Sequence, residues 1–460
     1  MHQRLQALLV VATLILASQA GAPGAVRANG FAAQDDTWVA TAASGAVANG
    51  STAGSSCSDP GFVTDGTDDD VEIGYAITDV NAEGTVHLCA GEYHLASGLL
   101  YDKDFTLTGA GMGSTFVLGS AEFDENGDYA SGGSEFLFSA TSSTLTVRDL
   151  TIRGFYGDSY GALYGTDFVL ERVQMDHNGS AGDGGAIWAT GSVTVRQSIL
   201  SWNHADETGG AINGADVTIR RSLLRRNTAL QNGGAVYAEG EVRFTHSSFA
   251  RNRSLGQGGA AFIDTSSLAR IRDSVFRRNR STSHGGAMRI FDSHAQIWRS
   301  TFVRNRTSEA GGAFDAYDGR LQVRESTFTG NRAKWNGGGF VSWQQDRLVV
   351  RGSSLVGNRA RWQGGGFIAE ATVLPVKVFG NWFVANHSNQ GGGISLSGEI
   401  AQHVRNNTFR ANSAPHGGAV FVYACLPPRA QAHRFRQRND YVLNRSTGRH
   451  PKVGVGTSPC

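Results

Sequence analysis

The sequence predicts an all-β fold, a right-handed parallel β-helix (solenoid) of about 10–12 coils with an N-terminal helical cap. Three observations predict it. An asparagine recurs every 24 to 28 residues, each time three positions after an apolar residue. A Gly-Gly pair followed by Ala or Gly comes shortly after each asparagine. Between these motifs, apolar and polar residues tend to alternate, as in strands with one buried face. Such strands bury their apolar faces only when coils stack.

The asparagine motif occurs ten times. Its asparagines are Asn178, Asn203, Asn227, Asn252, Asn279, Asn305, Asn331, Asn358, Asn386 and Asn412. A side-chain amide both donates and accepts hydrogen bonds. Amides stacked on successive coils can therefore bond along the column, as in the ladders of cross-β structures. We interpret these asparagines as a buried structural ladder.

The Gly-Gly motif also occurs ten times. Its third residue follows the asparagine by eight residues in eight copies and by seven in the last two. Paired glycines suit a turn that needs positive φ or a close backbone approach. We therefore interpret this motif as scaffold as well.

The segments outside the repeats differ in composition. Arg4, the apolar run Ala7 to Ala17 and Ser18-Gln19-Ala20 are typical of a secretory signal peptide. Val71 to Val80 has helical periodicity and follows three aspartates that can cap a helix. The predicted organisation is a signal peptide (1–20), a flexible lead-in (21–56), an N-terminal cap with the first strands (57–111), the β-helix coils (112–424) and a C-terminal cap or tail (425–460).

The four cysteines are Cys57, Cys89, Cys425 and Cys460. Export permits disulfides, and four cysteines allow three pairings. Proximity in sequence favours Cys57–Cys89 and Cys425–Cys460. None of the spacings is that of a zinc or redox site.

Charge is distributed unevenly along the chain. Residues 31–160 hold 20 acidic and 3 basic residues, whereas residues 161–460 hold 20 acidic and 36 basic ones. Two rows of arginine recur at fixed distances from the ladder asparagine. The row one position after it is Arg253, Arg280, Arg306, Arg332 and Arg359. The row seven positions before it is Arg196, Arg220, Arg272, Arg324, Arg351 and Arg405.

Stacked arginines repel one another unless counterions or a polyanion lie beside them. The arginines therefore predict a track for an acidic polysaccharide or another extended anion, with a solubilising face as the alternative. We do not expect nucleic acid as the ligand, because no recognisable nucleic-acid-binding module is present.

A second surface stripe follows the Gly-Gly motif and mixes aromatic with charged residues. Its outward positions are Trp188, Tyr237, Glu239, Phe262, Asp264, Arg289, Phe291, Asp315, Tyr317, Trp343, Glu370 and Tyr423. Aromatic rings beside carboxylates suit sugar binding. Asp264, Arg289 and Asp315 fall on three successive coils and are candidate catalytic residues, because two carboxylates about 10 Å apart would suit an inverting glycosidase. A salt-bridged strand face is the alternative. Trp335 and Trp362 share one turn position and could stack on a sugar or on each other.

Two motifs resemble known families. Asp65-Gly66-Thr67-Asp68-Asp69-Asp70, Gly84-Thr85-Val86, Ala90-Gly91-Glu92-Tyr93 and Leu107-Thr108-Gly109-Ala110-Gly111 are similar to the N-terminal cap of pectate-lyase-superfamily β-helices. The repeated Gly-Gly-Ala and Phe-x-x-Asn pair resembles the repeat of the polymorphic outer-membrane proteins, which are surface adhesins. The first resemblance implies a polysaccharide-acting enzyme, and the second implies a binding scaffold.

Two functions remain open. The first is a secreted or cell-surface scaffold, adhesin-like and non-catalytic, that binds a glycan or another surface ligand. The second is a polysaccharide lyase or glycoside hydrolase acting on an acidic glycan. The lack of His-Glu-x-x-His, Gly-x-Ser-x-Gly and polygalacturonase signatures favours the first, and the lyase-like cap favours the second.

The expected partner is an extended anionic glycan. We expect no metal and no cofactor, although Asp68-Asp69-Asp70 leaves calcium open. We also expect a monomer without a membrane span once the signal is removed. Its expected location is extracellular or on the cell surface, with the periplasm as the alternative.

Overall fold

The computed structural model describes residues 34–41, 54–66, 68–123, 129–131, 137–139, 142–370, 376–397, 403–424, 438–447 and 453–457. They form a parallel β-solenoid of about 13 turns, which confirms the predicted fold class. Each residue of a repeat pairs with its equivalent in the next coil. Phe276, for example, pairs with Phe249 on one side and with Phe302 on the other. The regular repeat spacing in the sequence is therefore the length of one coil.

A full coil holds four strands, which we number from the Gly-Gly turn and which stack into sheets 1 to 4. Some strands run through a corner and serve two sheets. Sheet 1 contains Leu99–Tyr101, Leu137–Ser139, Leu163–Gly165, Ile187–Ala189, Ile212–Gly214, Val236–Ala238, Ala261–Asp264, the first parts of Met288–Trp298 and Phe314–Arg324, Phe340–Trp343, Phe367–Glu370, Ile394–Ser397, Val420–Ala424 and Val453–Thr457. Sheet 2 contains Gln34–Thr41, Val80–Leu88, Phe105–Thr108, the first parts of Thr144–Arg153 and Asp167–Asp176, Ser192–Arg196, Asp216–Arg220, Val242–Thr245, Ala269–Arg272, the second parts of Met288–Trp298 and Phe314–Arg324, Arg347–Arg351, Val376–Phe379 and His403–Arg405.

The other two sheets complete the coil. Sheet 3 contains Gly91–His94, Thr115–Leu118, the second parts of Thr144–Arg153 and Asp167–Asp176, Ile199–Ser201, Leu223–Arg225, Ser248–Ala250, Val275–Arg277, Thr301–Val303, Thr327–Thr329, Ser354–Val356, Trp382–Val384, Thr408–Arg410 and Asp440–Val442. Sheet 4 is made of two-residue strands, Tyr156–Gly157, Gly179–Ser180, His204–Ala205, Thr228–Ala229, Arg253–Ser254, Arg280–Ser281, Arg306–Thr307 and Arg332–Ala333. Outside the stack, Phe62–Thr64 pairs with the end of Gln34–Thr41, and two short antiparallel pairs join Gly54–Ser56 to Asp59–Pro60 and Glu122–Phe123 to Tyr129–Ser131.

The core is filled by side chains stacked in register. In sheet 3 the ring of Phe302 lies 4.9 Å from the rings of both Phe276 and Phe328, measured between centroids. In sheet 1 the rings of Phe314 and Phe340 are 4.7 Å apart. These phenylalanines are fully buried. Their stacking explains why an apolar residue stands three positions before each asparagine.

The asparagines form a continuous ladder. Each side-chain amide donates to the amide oxygen of the asparagine on the next coil, at 3.0 to 3.1 Å, from Asn178 onward to Asn444. A second ladder, which the sequence reasoning missed, lies one corner earlier. It consists of Ser198, Ser222, Ser247, Ser274, Ser300, Ser326, Ser353, Asn381, Asn407 and Asn439. Both ladders satisfy backbone groups that turn inward at corners.

The N-terminal end corrects the predicted flexible lead-in and the predicted capping of the helix by aspartate. Gln34–Thr41 is a strand of sheet 2 with Val39 and Ala40 fully buried, so the predicted flexible lead-in (21–56) is wrong over these residues. The helix spans Asp70–Asp79 and buries Ile73 against the first coils. Asp69 stands at its N-cap without a capping bond, because its carboxylate accepts instead from the backbone N–H groups of Gly66 and His94.

The predicted disulfide Cys57–Cys89 is confirmed, with the two Cα atoms 5.6 Å apart. It ties the Gly54–Pro60 hairpin to the end of the strand Val80–Leu88. Cys425 and Cys460 lie outside the described residues. The predicted signal peptide lies outside them too.

Candidate functional site

Sheet 1 carries the predicted aromatic and charged stripe as two parallel columns. In the first column Tyr237, Phe262, Arg289, Asp315 and Val341 pair in register on successive coils. The second column is Asp264, Phe291, Tyr317, Trp343 and Glu370. Both columns point away from the core, since the residues between them, such as Ile263, Ile290 and Ala316, belong to the main buried core. The residues of the predicted stripe therefore lie on one face of sheet 1. They form two columns, and they differ in how far they are buried.

Two residues of the first column, Arg289 and Asp315, form a cluster with the side chains of His284 and Glu309. Arg289 forms an ion pair with Asp315 on the next coil. The other oxygen of Asp315 lies 2.9 Å from Nδ1 of His284, and Nε2 of the same ring lies 2.9 Å from a carboxylate oxygen of Glu309. Ser283 also donates to Glu309 at 2.9 Å. The contacts therefore link Arg289 to Asp315, Asp315 to His284, and His284 to Glu309. The first two side chains of this series are buried, and the last two are partly exposed.

Burial assigns these residues different roles. Asp315 is 0% exposed and Arg289 is 7% exposed, whereas the side chain of His284 is 33% exposed. Both carboxylate oxygens of Asp315 are engaged, one by Arg289 and one by His284. Asp315 therefore cannot meet a sugar directly, and its prediction as half of a glycosidase pair is wrong. Its geometry is that of a group which orients His284.

Asp264, the other predicted carboxylate, belongs to a separate group. The hydroxyl of Tyr237 donates to Glu239 at 3.2 Å and lies 3.5 Å from a carboxylate oxygen of Asp264. Burial raises the pKa of Asp264, and the negative charge of Glu239 raises it further. Burial together with these two carboxylates also raises the pKa of Tyr237. Asp264 lies in the second column and Asp315 in the first, and the two carboxylates have different hydrogen-bond partners.

Aromatic rings border the cluster on two sides. The rings of Phe291 and Tyr317 stack 5.3 Å apart, and the guanidinium of Arg289 lies 5.6 Å from each ring centroid. On the turn side, Trp335 and Trp362 follow Glu309 on successive coils, joined by backbone hydrogen bonds of 2.8 Å. Their rings lie 6.5 Å apart, so they contact each other, and they remain 53% and 46% exposed.

Trp343 and Glu370 continue the second column towards the C-terminus. Trp343 packs on a small apolar cluster formed by Ala310, Val341 and Ile368. Burial raises the pKa of Glu370, the residue that pairs with Trp343 on the next coil. His284, Glu309 and Glu370 thus lie near this face, and His284 and Glu309 were not among the predicted residues. Their positions just before the Gly-Gly pair were a signal that the sequence reasoning did not use.

The arginines of the predicted row after the ladder lie on the outer face of sheet 4. Arg253, Arg280, Arg306 and Arg332 pair in register, and an isolated bridge joins Arg332 to Arg359. All five side chains are exposed. Within the described part of the chain, none of the five forms an ion pair. We call these five residues the sheet 4 array.

The second predicted arginine row is not part of that array. Its residues end the strands of sheet 2, so the whole width of sheet 3 separates the two rows. Arg272 in this row pairs with Asp273 at 3.0 Å. The prediction that the two arginine rows form a single basic stripe is therefore wrong.

The described residues include no cluster of His, Cys, Asp or Glu arranged to hold a metal ion. The carboxylates of Asp69 and Asp70 are engaged by backbone N–H groups and by Ser97. Across the same residues, no helix is long and apolar enough to span a bilayer.

Several solved structures are similar to this chain. Three of them each cover 86% of it with a TM-score of 0.35. The A-module of mannuronan C-5 epimerase AlgE6 from Azotobacter vinelandii is 14% identical, with 97% of its own chain covered. The catalytic unit of a thermostable alpha-1,3-glucanase from Streptomyces thermodiastaticus is 15% identical, with 67% covered. The alginate lyase AlyGC is 12% identical, with 53% covered.

No curated protein matches the chain. The model of the right handed beta helix region matches residues 129–355 and 259–431, which together span more than half of the sequence. The chain therefore belongs to the right-handed β-helix family.

Proposed function

We propose that this β-helix binds an extended acidic polysaccharide along the sheet 4 array. One observation carries the proposal: five exposed arginines stand in register on successive coils without ion pairs among the described residues. Like charges directly opposite each other in a sheet destabilise it. A bound polyanion would offset that repulsion along the whole array.

Arginine suits such a ligand chemically. Its planar guanidinium presents paired donors that match a carboxylate or a sulfate, and it stays charged at every physiological pH. Because the array repeats with the coil, it favours a polymer over a single small anion. The apolar signal-like segment near Arg4 supports a secreted or cell-surface setting, in which the protein would act as an adhesin-like, non-catalytic scaffold.

A polysaccharide lyase or glycoside hydrolase is the second candidate. The observation that favours it is the partly exposed His284, whose ring lies between the buried Asp315 at one nitrogen and the partly exposed Glu309 at the other. Histidine oriented by a carboxylate is a common arrangement for proton transfer in catalysis. In this alternative the polymer would lie across Phe291 and Tyr317, and His284 would be the residue that touches it.

One set of variants separates the two candidates. In Arg280→Gln/Arg306→Gln/Arg332→Gln, affinity for polygalacturonate should fall severalfold at low salt and less at high salt, because charge contacts are screened. The melting temperature should hold, since exposed charges contribute little stability. Tyr317→Ala/Trp343→Ala should leave the salt dependence unchanged. Equal binding by wild type and the triple variant at low salt would overturn the proposal.

Product release tests the enzyme alternative in the same preparations. Unsaturated sugars detected by ultraviolet absorbance would indicate a lyase, and new reducing ends without unsaturation would indicate a hydrolase. If either appears and His284→Gln abolishes it while binding persists, the protein is an enzyme. If neither appears with any acidic glycan that binds, the scaffold function stands.

A further inference from the structure

A second set of arginines lies beside the sheet 4 array, at the corner that precedes each ladder asparagine. Arg251, Arg278 and Arg304 occupy this corner on three successive coils, and each is exposed. Each is followed by the asparagine and then by an arginine of the sheet 4 array, so three coils present Arg-Asn-Arg. The inward asparagine is buried between two outward cations.

The corner demands a backbone conformation that arginine adopts at a cost. The φ angles of Arg251, Arg278 and Arg304 are 59°, 57° and 54°, all in the left-handed region. Residues other than glycine adopt this region at a cost in free energy, because their Cβ atom crowds the backbone. The next two coils place Gly330 and Gly357 at the same corner, with φ of 62° and 63°. The scaffold therefore accepts glycine here, and three coils nevertheless carry arginine.

No acidic side chain explains these corner arginines. Among the described residues, none of the three takes part in an ion pair. Arg226, one coil earlier at the same corner, lies with its guanidinium carbon 4.3 Å from the centre of the Trp202 ring. The same corner is left-handed on other coils as well, where it holds His177, Trp202, Ala385, Ala411 and Leu443. The corner arginines are therefore distinguished by their exposed charge and not by their backbone conformation. The corner column and the sheet 4 array together make a two-sided cationic surface parallel to the solenoid axis.

We infer that the acidic polysaccharide runs parallel to the solenoid axis between these two arginine columns, so that successive coils bind successive charged sugars. This inference rests on the proposed function and adds to it the ligand's direction, its charge spacing and three further binding residues. The ligand class is a polymer with one anionic group on every sugar, such as a polyuronate.

The spacing of the columns favours a polyuronate over a nucleic acid. Equivalent residues on stacked strands are about 4.8 Å apart, close to the length of one sugar in a linear polymer. Duplex DNA carries one charge per about 1.7 Å of its axis, a spacing that does not match the repeat of about 4.8 Å between successive coils. Single-stranded nucleic acids are usually held by aromatic platforms, and the corner residues beside the array between Arg251 and Gly357 are arginine or glycine.

The columns also define the length of the site. Three coils carry two arginines each, and Arg332 and Arg359 extend the single column for two more coils. Affinity should therefore rise with each added sugar up to about five sugars, one per coil, and then level off. A surface that attracts polyanions without alignment would show no such limit.

The experiment compares two double variants that remove equal charge. Arg278→Gly/Arg304→Gly removes corner arginines and leaves the five arginines of the sheet 4 array intact. Arg220→Gln/Arg351→Gln removes two arginines from the strand ends of sheet 2, which sheet 3 separates from the array, and serves as the matched control. Both are titrated at low salt with oligogalacturonates from the disaccharide to the octasaccharide, beside wild type and a single-stranded DNA of matched charge.

The corner variant should bind the pentasaccharide severalfold more weakly than wild type, while its melting temperature holds or rises because glycine fits the corner. The control variant should bind like wild type. Equal losses in both variants, or affinity that keeps rising evenly to the octasaccharide, would overturn the inference but leave glycan binding intact. If wild type bound the DNA more tightly than the oligogalacturonates, the ligand class would be a nucleic acid and the inference would be overturned. No binding by wild type to any acidic glycan would overturn the proposed function itself.

Discussion

At the scale of single residues, burial separates side chains that look equivalent in sequence. Asp264 and Asp315 both stand outward in sheet 1, on coils separated by one other coil. Asp315 is sealed between Arg289 and His284, whereas Asp264 shares the hydroxyl of Tyr237 with Glu239. The Nε atom of Arg289 is buried and finds no hydrogen-bond partner among the described residues. This guanidinium therefore depends on Asp315 for its compensation.

Removing one partner of this pair should be costly. Asp315→Leu should lower the free energy of unfolding by about 3–5 kcal/mol, because it leaves the Arg289 charge buried and uncompensated. Arg289→Met/Asp315→Leu should recover most of that loss, since a buried pair can often be replaced by apolar residues of similar volume. Chemical denaturation of the two variants and wild type measures both values. A double variant as unstable as the single one would show that the pair itself stabilises the fold.

At the scale of elements, the ladders hold the corners of the coils. Asn305 makes four side-chain hydrogen bonds, two as donor, to Phe276 and Asn331, and two as acceptor, both from Asn279. Asn178, at the start of the ladder, donates two bonds and accepts one from the backbone of Phe155. A substitution in the middle of the ladder therefore removes more hydrogen bonds than a substitution at its end.

The ladder prediction compares these two positions. Asn305→Ala should destabilise the protein by about 1–3 kcal/mol, because its buried partners on both adjacent coils lose their bonds. Asn178→Ala should cost less. Urea unfolding followed by circular dichroism gives both numbers. Equal and negligible effects would contradict a buried ladder that stabilises the stack.

At the scale of the whole molecule, the stack has two ends and an uneven charge. The disulfide Cys57–Cys89 closes the acidic N-terminal end, where the helix Asp70–Asp79 packs on the first strands. The basic arginine columns begin several coils later. Each coil contacts mainly its neighbours, so the ends are where such a stack is most open to fraying.

The remaining cysteines test whether the other end is closed in the same way. Peptide mapping without reduction should recover Cys57 joined to Cys89, and Cys425 joined to Cys460. The first link is present in the structure and serves as the internal control. Recovery of Cys57 linked to Cys460 would refute the idea that one bridge closes each end.

The sequence by itself determined the coil length, the inward face and the ladder. These features repeat at a fixed interval, and a residue such as Asn305 or Phe302 is constrained by the identical residue one coil away. Register follows directly, because a slip of one position would turn every apolar side chain outward. The second ladder was missed although its residues stand five positions before the ladder asparagines, because serine is also frequent on surfaces and does not by itself indicate burial.

Only the tertiary structure decided which outward residues meet. His284 reaches Asp315 across the coils and is itself contacted by Glu309, and sheet 3 separates the two arginine rows that looked alike in sequence. Gln34–Thr41 became a strand because the open edge of Val80–Leu88 offered unpaired backbone groups. The physical reason is the same in each case. Periodicity in sequence reports the repeated core, whereas contacts across corners and at ends depend on the path of the chain around each coil.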